Sequence, residues 1–257
     1  MLIAQISDLH IMPPGELAYG RFDTAASLAR CVSHIMQLDP LPDTVLATGD
    51  LVNGGSAAEY RRLRDLLAPL VMPVHVIPGN HDERGLLCAG FGDHFYLPRP
   101  GQAVHYVVEY HEVRLVALDT VVPGEDGGAL GSDQLDWLEA TLAAGPHQPT
   151  LVFMHHPPVR TGTHYMDEIR LDQPSSERLA RIIGRHPQVE RITCGHVHRG
   201  MLARWHGTTV SICPSTAFQY GLDLRSEPSV SVTSEPPAYQ LHYWNGAELV
   251  THTVVVT

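Results

Sequence analysis

Aspartate, asparagine and histidine recur in this chain in short clusters that each follow an apolar run. They are Ser7-Asp8-Leu9-His10, Gly49-Asp50-Leu51-Val52-Asn53, Pro78-Gly79-Asn80-His81-Asp82, His155-His156-Pro157-Pro158 and Gly195-His196-Val197-His198. Carboxylate, imidazole and amide oxygen together suit borderline divalent metals (Zn, Mn, Fe or Co) better than calcium or a thiolate-selective ion. In an extended segment residues i and i+2 share a face, so Asp8/His10 and His196/His198 are each expected to present two groups to one side. With so many donors, and a carboxylate able to bridge, two ions are favoured over one. Two ions roughly 3.5–4 Å apart would clamp a phosphoryl group and acidify a bound water. Each cluster alone has a bland reading: Gly-Asp is usually a turn, Asn-His after a strand a satisfied turn, and a lone Asp-x-His after a strand a weak signal. Their joint occurrence, each at the end of an apolar run, carries the inference.

The elements that must position these residues are legible as period and punctuation. Leu2–Ile6, Thr44–Ala47, Val74–Ile77, Leu115–Leu118, Leu151–Met154 and Arg191–Cys194 read as short buried strands. Helical patterns lie between them at Phe22–Leu38, Ala57–Leu67, Asp133–Leu142 and Ser175–Arg185. Ser56-Ala57-Ala58-Glu59 is a capping box for the second helix, and Pro174 and Pro187 punctuate the fourth. Tyr106–Tyr110 and Glu112–Leu118 suggest a hairpin joined at His111. After Gly200 helical periodicity disappears, and Met201–Trp205, Thr209–Cys213, Tyr239–Trp244 and Leu249–Val256 read as strands. The Ser-, Glu- and Pro-rich stretch 221–237 reads as a long loop or lid. The pattern is an α/β layered fold whose second half turns antiparallel, with its polar clusters at strand ends, where open α/β sheets place their sites.

Composition excludes several classes. The chain has 257 residues, 44% of them apolar and 18% charged, which is globular and not disordered. Its formal net charge of −11 supplies no basic footprint for a nucleic-acid backbone. No window approaches the roughly 18 apolar residues of a membrane span. The N-terminus runs straight into a strand pattern without a basic leader, and Cys31, Cys88, Cys194 and Cys213 are widely spaced. A cytoplasmic protein with reduced thiols is the expectation. The 17 histidines outnumber what the clusters use, and His34, His75, His94, His164 and His252 carry only a structural reading.

The ordered set Asp8-x-His10, Gly49-Asp50, Gly79-Asn80-His81-Asp82, His155-His156 and Gly195-His196-Val197-His198 resembles the calcineurin-like metallophosphoesterase superfamily. The likeness runs from residue 3 to about residue 200 and is strongest to bacterial glycerophosphodiesterases and class III cyclic-nucleotide phosphodiesterases. It implies a four-layer αββα double β-sandwich. Residues 1–200 would form the catalytic core, and 201–257 a β-rich extension completing the sandwich and serving as a cap or oligomerisation element. It also implies one divalent ion held by Asp8, His10, Asp50 and His198, and a second held by Asp50, Asn80, His156 and His196. Asp50 would bridge, His81 would contact the phosphoryl or leaving group, and His155 would stand behind the ligands.

Departures narrow the reading. Asn53 stands where purple acid phosphatases carry a tyrosine ligand. The arginine that follows Gly-Asp-x-Val in protein phosphatases is absent, and their Gly-Asn-His-Glu is Gly-Asn-His-Asp here. The implied reaction is hydrolysis of a small phosphodiester of glycerophosphodiester type by metal-activated hydroxide, with a 3′,5′-cyclic nucleotide as the alternative substrate. A non-catalytic metal-binding scaffold is a remote alternative, since every ligand position is filled, and the charge disfavours a nuclease. Tyr19, Arg21, Arg160 and Arg199 lie near the motifs and could steer an anionic substrate. A homo-oligomer is expected, and no membrane or nucleic-acid partner.

Overall fold

The structure, a computed structural model, describes residues 1–99, 101–225 and 230–257. In chain order it contains β1 (Leu2–Ile6), α1 (Thr24–Ile35), β2 (Thr44–Thr48), α2 (Ala57–Leu67), β3 (Val74–Ile77), α3 (Arg84–Gly90), β4 (Tyr106–Val108) and β5 (Arg114–Leu118). There follow α4 (Ser132–Ala144), β6 (Thr150–Met154), α5 (His164–Glu168), α6 (Gln173–Ile183), β7 (Val189–Cys194), β8 (Met201–Trp205) and β9 (Thr208–Ile212). The chain closes with β10 (Gln219–Tyr220), β11 (Val232–Thr233), β12 (Ala238–Trp244) and β13 (Leu249–Val255).

Among the described residues two large sheets form, in the orders β13-β12-β1-β2-β3 and β4-β5-β6-β7-β9-β8, beside a small β10-β11 pair. Strand alternation explains the layering. In β5, Leu115 and Ala117 join the core shared with the first sheet, while Val116 and Leu118 join the core beneath α4 and α6. In β6, Leu151 and Phe153 divide from Val152 and Met154 in the same way. A strand buried on both faces must be apolar throughout, which is why these runs look continuous and not alternating. The outer face of the first sheet is covered by α1 through Leu28, Val32 and Ile35 and by α2 through Leu63 and Leu67. The result is the expected αββα sandwich.

The parallel registers set the site. Ile6 pairs with Ala47, Thr48 with Ile77, Leu118 with Met154, and Phe153 with Thr193. The C-terminal ends of the motif-bearing strands are therefore level, and the polar clusters leave from one end of the sandwich. Past β7 the turn to antiparallel pairing is incomplete, because β9 runs parallel to β7 while β8, β12 and β13 pair antiparallel.

Helix ends differ from the sequence reading where capping decides them. The Asp23 side chain accepts the Ala26 N–H, so α1 starts at Thr24 and not Phe22. At its far end Gln37 and Leu38 bond to the carbonyls three residues back, a tightened turn beyond the helix. The Ser56–Glu59 capping box is present as read. Two helices were not expected. α3 carries glycines at both ends and is started by Glu83, which accepts the Gly85 and Leu86 N–H groups; α5 is five residues long. The stretch read as a loop or lid contains β11, which pairs with β10; residues 226–229 lie outside the described residues.

A polar clasp joins the sheets. Gln5, fully buried in β1, donates to the Thr48 hydroxyl (2.9 Å) and the Cys194 carbonyl (3.0 Å) and accepts from Thr193 and His242. His242 donates Nε2–H to Gln5 and meets the Thr251 hydroxyl through Nδ1 (2.8 Å), so both ring nitrogens are used. Burial, with Arg191 nearby, pushes its pKa down to about 3. The unfolded chain therefore takes up a proton near pH 6.5 that the folded chain refuses. The stability this ring contributes is present above pH 6.5 and declines as pH falls toward 3. His242→Gln is expected to flatten the pH dependence of urea-unfolding stability between pH 6.5 and 4 by up to about 1.4 kcal/mol per pH unit. Superimposable slopes for the two proteins would contradict the assignment.

Candidate metal centre

Every polar cluster of the sequence reaches one buried locus, by a backbone route the sequence does not show. Asp8, His10, Asp50, His196 and His198 all have positive φ, at 53°, 42°, 49°, 70° and 51°. The expected i,i+2 alternation on an extended strand is thus corrected: β1 ends at Ile6 and β7 at Cys194, and the donors sit in left-handed turns beyond. Backbone bonds hold these turns in place, from Asp8 N–H to the Gly49 carbonyl (3.1 Å) and from His10 N–H to the Asp50 carbonyl (2.9 Å). Left-handed backbone at a non-glycine residue costs on the order of 1 kcal/mol and persists only where its surroundings over-determine it. Two true glycines make room for the carboxylates. A Cβ at Gly79 would lie 2.2 Å from Asp50 Oδ1, and one at Gly195 would lie 2.8 Å from Asp8 Oδ2.

Donor atoms of Asp8, His10, Asp50 and His198 lie within 4.8 Å of one another, all buried. His198 donates Nδ1–H to the Phe218 carbonyl (2.8 Å), because a carbonyl can only accept. Burial, with His10 nearby, holds the His198 pKa well below its ordinary value, so its Nε2 is a lone pair, 3.0 Å from His10 Nε2 and 3.4 Å from Asp8 Oδ1. His10 Nε2 stands 3.5 Å from Asp50 Oδ2, and His10 Nδ1 has no partner among the described residues. Burial pushes the Asp8 carboxyl up to about 7, with Asp50 adding to the rise, and burial pushes His10 down to about 4. Two buried carboxylates facing neutral imidazole lone pairs fit a divalent cation.

His155, His156 and His196 form a second group with donor atoms within 4.8 Å. The His196 Nε2 atom is buried without a partner among the described residues, while burial holds its pKa down at about 3. His156 meets the Thr120 hydroxyl through Nδ1 (2.7 Å) and the Asp126 carbonyl through Nε2 (3.1 Å). To coordinate a metal it must exchange one of these contacts, and the Thr120 hydroxyl can turn from donor to acceptor as the tautomer changes. Proximity also places His155 in this group, but hydrogen bonding removes it. Its Nδ1–H donates to the Thr48 carbonyl (2.9 Å), and its Nε2 faces Asn80 Oδ1 (3.2 Å) and Asp50 Oδ1 (3.4 Å), so the ring carries both protons. Burial opposes that charge, yet Asp50 and Asp8 raise its pKa to about 9. Burial alone would raise the Asp50 carboxyl, but His155, His10 and His81 hold it well below the usual carboxylate range.

His81 is exposed at the rim, 4.7 Å from His10 between ring centroids. Its backbone N–H donates to Asp50 Oδ1 (3.0 Å) and its Nδ1–H to the Asn53 carbonyl (2.8 Å), leaving Nε2 free toward solvent. Partial burial would lower its pKa, but the Asp50 charge and the Asn53 carbonyl raise it above its ordinary value.

Sequence reasoning missed the residues that hold this arrangement. Asp82 accepts the Leu51 and Gly79 N–H groups and the Tyr60 hydroxyl, lashing the Asp50 turn to the Asn80 turn. Ser215 donates to the Asp8 carbonyl (2.7 Å). An aspartate three residues after a turn glycine signals the first; nothing local signals Ser215 or Thr120. Of the four residues proposed to steer substrate, Arg21 donates to the Val232 carbonyl and Arg199 pairs with Glu235, so both are committed. Tyr19 stays exposed above Phe218, and Arg160 turns into a different groove.

This geometry has relatives. Residues 1–200 match the calcineurin-like phosphoesterase family. The chain belongs to that family. A probable glycerophosphodiester phosphodiesterase of Arcobacter nitrofigilis is 38% identical over 254 residues, covering 98% of this chain and 92% of that protein. A 3′,5′-cyclic adenosine monophosphate phosphodiesterase of Vibrio vulnificus is 34% identical, covering 85% of this chain and 77% of its own. A dimetal phosphatase from Danio rerio has the same fold at TM-score 0.68 and 17% identity, covering 100% of this chain and 99% of that one. The chain is therefore a metal-dependent phosphoesterase, and among the described residues no helix is long and apolar enough to cross a membrane.

Gly79→Ala is expected to push Asp50 out of place and lower kcat/KM by about 100-fold or more, as misplacements near 1 Å do. The far-ultraviolet circular dichroism should stay that of the parent. Unchanged turnover would show that Asp50 does not need its present position.

Proposed function

We propose that the chain is a binuclear phosphodiesterase acting on small phosphodiesters of the glycerophosphodiester type. Asp8, His10, Asp50 and His198 would hold one divalent ion, and Asp50, Asn80, His156 and His196 the other, with Asp50 shared. Such a pair supplies Lewis acidity toward phosphoryl oxygens and an activated water. The protein's own contribution is orientation. Phe218 and Thr120 fix the His198 and His156 rings, and His155 anchors Asp50 and Asn80 from behind. His81 presents Nε2 at the open rim, with a pKa raised toward working pH, and would give its proton to the departing alkoxide. The aromatic rings of Phe218 and Tyr220 pack against His198, with centroids 4.7 and 4.5 Å away.

The observation that supports this reading is two buried donor groups, one of which contains Asp50, with the His81 ring exposed at the rim and its backbone N–H on Asp50. The glycerophosphodiester preference rests on the Arcobacter relative, which aligns over nearly the whole chain. The Vibrio relative supports the second reading, a cyclic-nucleotide phosphodiesterase, over a shorter span. Four buried free cysteines favour a reducing compartment, the cytoplasm.

A kinetic panel with metal-loaded enzyme decides among these. Glycerophosphodiesters are expected to give the highest kcat/KM, ahead of cyclic AMP and an aryl diester, with an aryl monoester slowest. A cyclic AMP value above that of the glycerophosphodiesters would move the assignment to the second reading, and dominance of the monoester would sink both.

A further inference from the structure

The chain has no lysine, so all 17 of its Lys-plus-Arg side chains are arginine, in a sequence of net charge −11. Most have visible employment. Arg64, Arg84, Arg178, Arg185 and Arg199 each meet a carboxylate. A different situation holds in a groove of about 440 Å³ between α6 and the edge strand β8. Arg160 enters it from the loop after β6, Arg170 from the segment before α6, and Arg181 from α6 itself.

Arg170 is fixed in place: its Nη1 donates to the Leu171 carbonyl (2.7 Å) and the Ser176 hydroxyl (3.2 Å). Its buried Nε–H has no acceptor among the described residues. The guanidinium groups of Arg160 and Arg181 likewise have no carboxylate or carbonyl partner among the described residues, although the chain carries 28 acidic side chains. One carboxylate lines the groove, Glu177, and its Oε1 is engaged by Gln173 Nε2 (2.8 Å). The groove thus gathers three guanidinium groups and one carboxylate. Trp205, at the end of β8, lines the same groove.

We propose that this groove is a second ligand site that binds the phosphate of a small organic phosphomonoester. Guanidinium forks match oxyanions in bidentate geometry. A terminal phosphate presents three oxygens and close to two charges, which suits three forks better than a diester with its two free oxygens and one charge. Trp205 receives the organic part. None of these residues belongs to the metal centre. The groove is nonetheless tied to it, because the Leu171 N–H donates to the carbonyl of Pro157, the residue after His156 (3.1 Å).

Phenyl phosphate is the probe, titrated calorimetrically into the metal-loaded protein at low ionic strength with and without a saturating, slowly turned-over aryl diester analogue. The wild-type protein is expected to bind it at two places, one displaced by the analogue and one not. In R160A/R181A the undisplaced site should weaken by about tenfold or more, while kcat/KM for the aryl diester and competitive inhibition by phenyl phosphate stay as in the parent. Arg181→Gln alone should give a smaller loss in the same site and guards against a folding defect in the double variant. An undisplaced site of equal affinity in both variants, or phenyl phosphate binding that the analogue abolishes entirely, would overturn the proposal.

Discussion

The structure is organised around one buried carboxylate. Asp50 sits in a left-handed turn after β2, where its oxygens receive the His81 backbone N–H and face the His10 and His155 rings. A carboxylate this deep is stable as an anion only if cations and donors surround it. Supplying them requires five chain segments to converge, and two level, mostly parallel strand sets are what bring five strand ends to one place. The imidazolium of His155 is the protein's own share of that compensation. It leaves Asp50 Oδ2 facing the neutral His10, on the side where a metal would lie.

Strain and support are distributed accordingly. Five of the seven candidate ligands carry positive φ. Their conformations are imposed by inter-strand backbone bonds that continue past the strand ends and by Asp82, Ser215 and the Gln5 clasp. These contacts hold the desolvated donors in place through the fold itself. The buried, neutral histidines express the same design, since desolvation keeps their lone pairs unprotonated.

Much of this was legible in the sequence, for physical reasons that can be named. Doubly buried strands such as Leu151–Met154 must be apolar throughout, and the capping box at Ser56 is a local signal with a local cause. The donors themselves were legible because nothing else places Asp-x-His, Asn-His and His-x-His after successive apolar runs. What was not legible depends on distant contacts. Thr120 matters only because β5 lies beside β6, and Phe218 contributes a carbonyl, which no side-chain pattern can announce. Asp8, His10, His196 and His198 are presented by left-handed turns and not by extended strands, so i,i+2 alternation points to the right residues on the wrong backbone. α3 was hidden by its glycines, and Arg160 was misplaced because nearness in sequence to His156 is not nearness to the site.

The central claim is that Asp50 is shared by two ions. Anomalous diffraction from crystals grown with manganese tests it directly. The account predicts two peaks about 3.5–4 Å apart with an Asp50 oxygen in contact with both. A single peak, or two peaks of which only one touches Asp50, would contradict it.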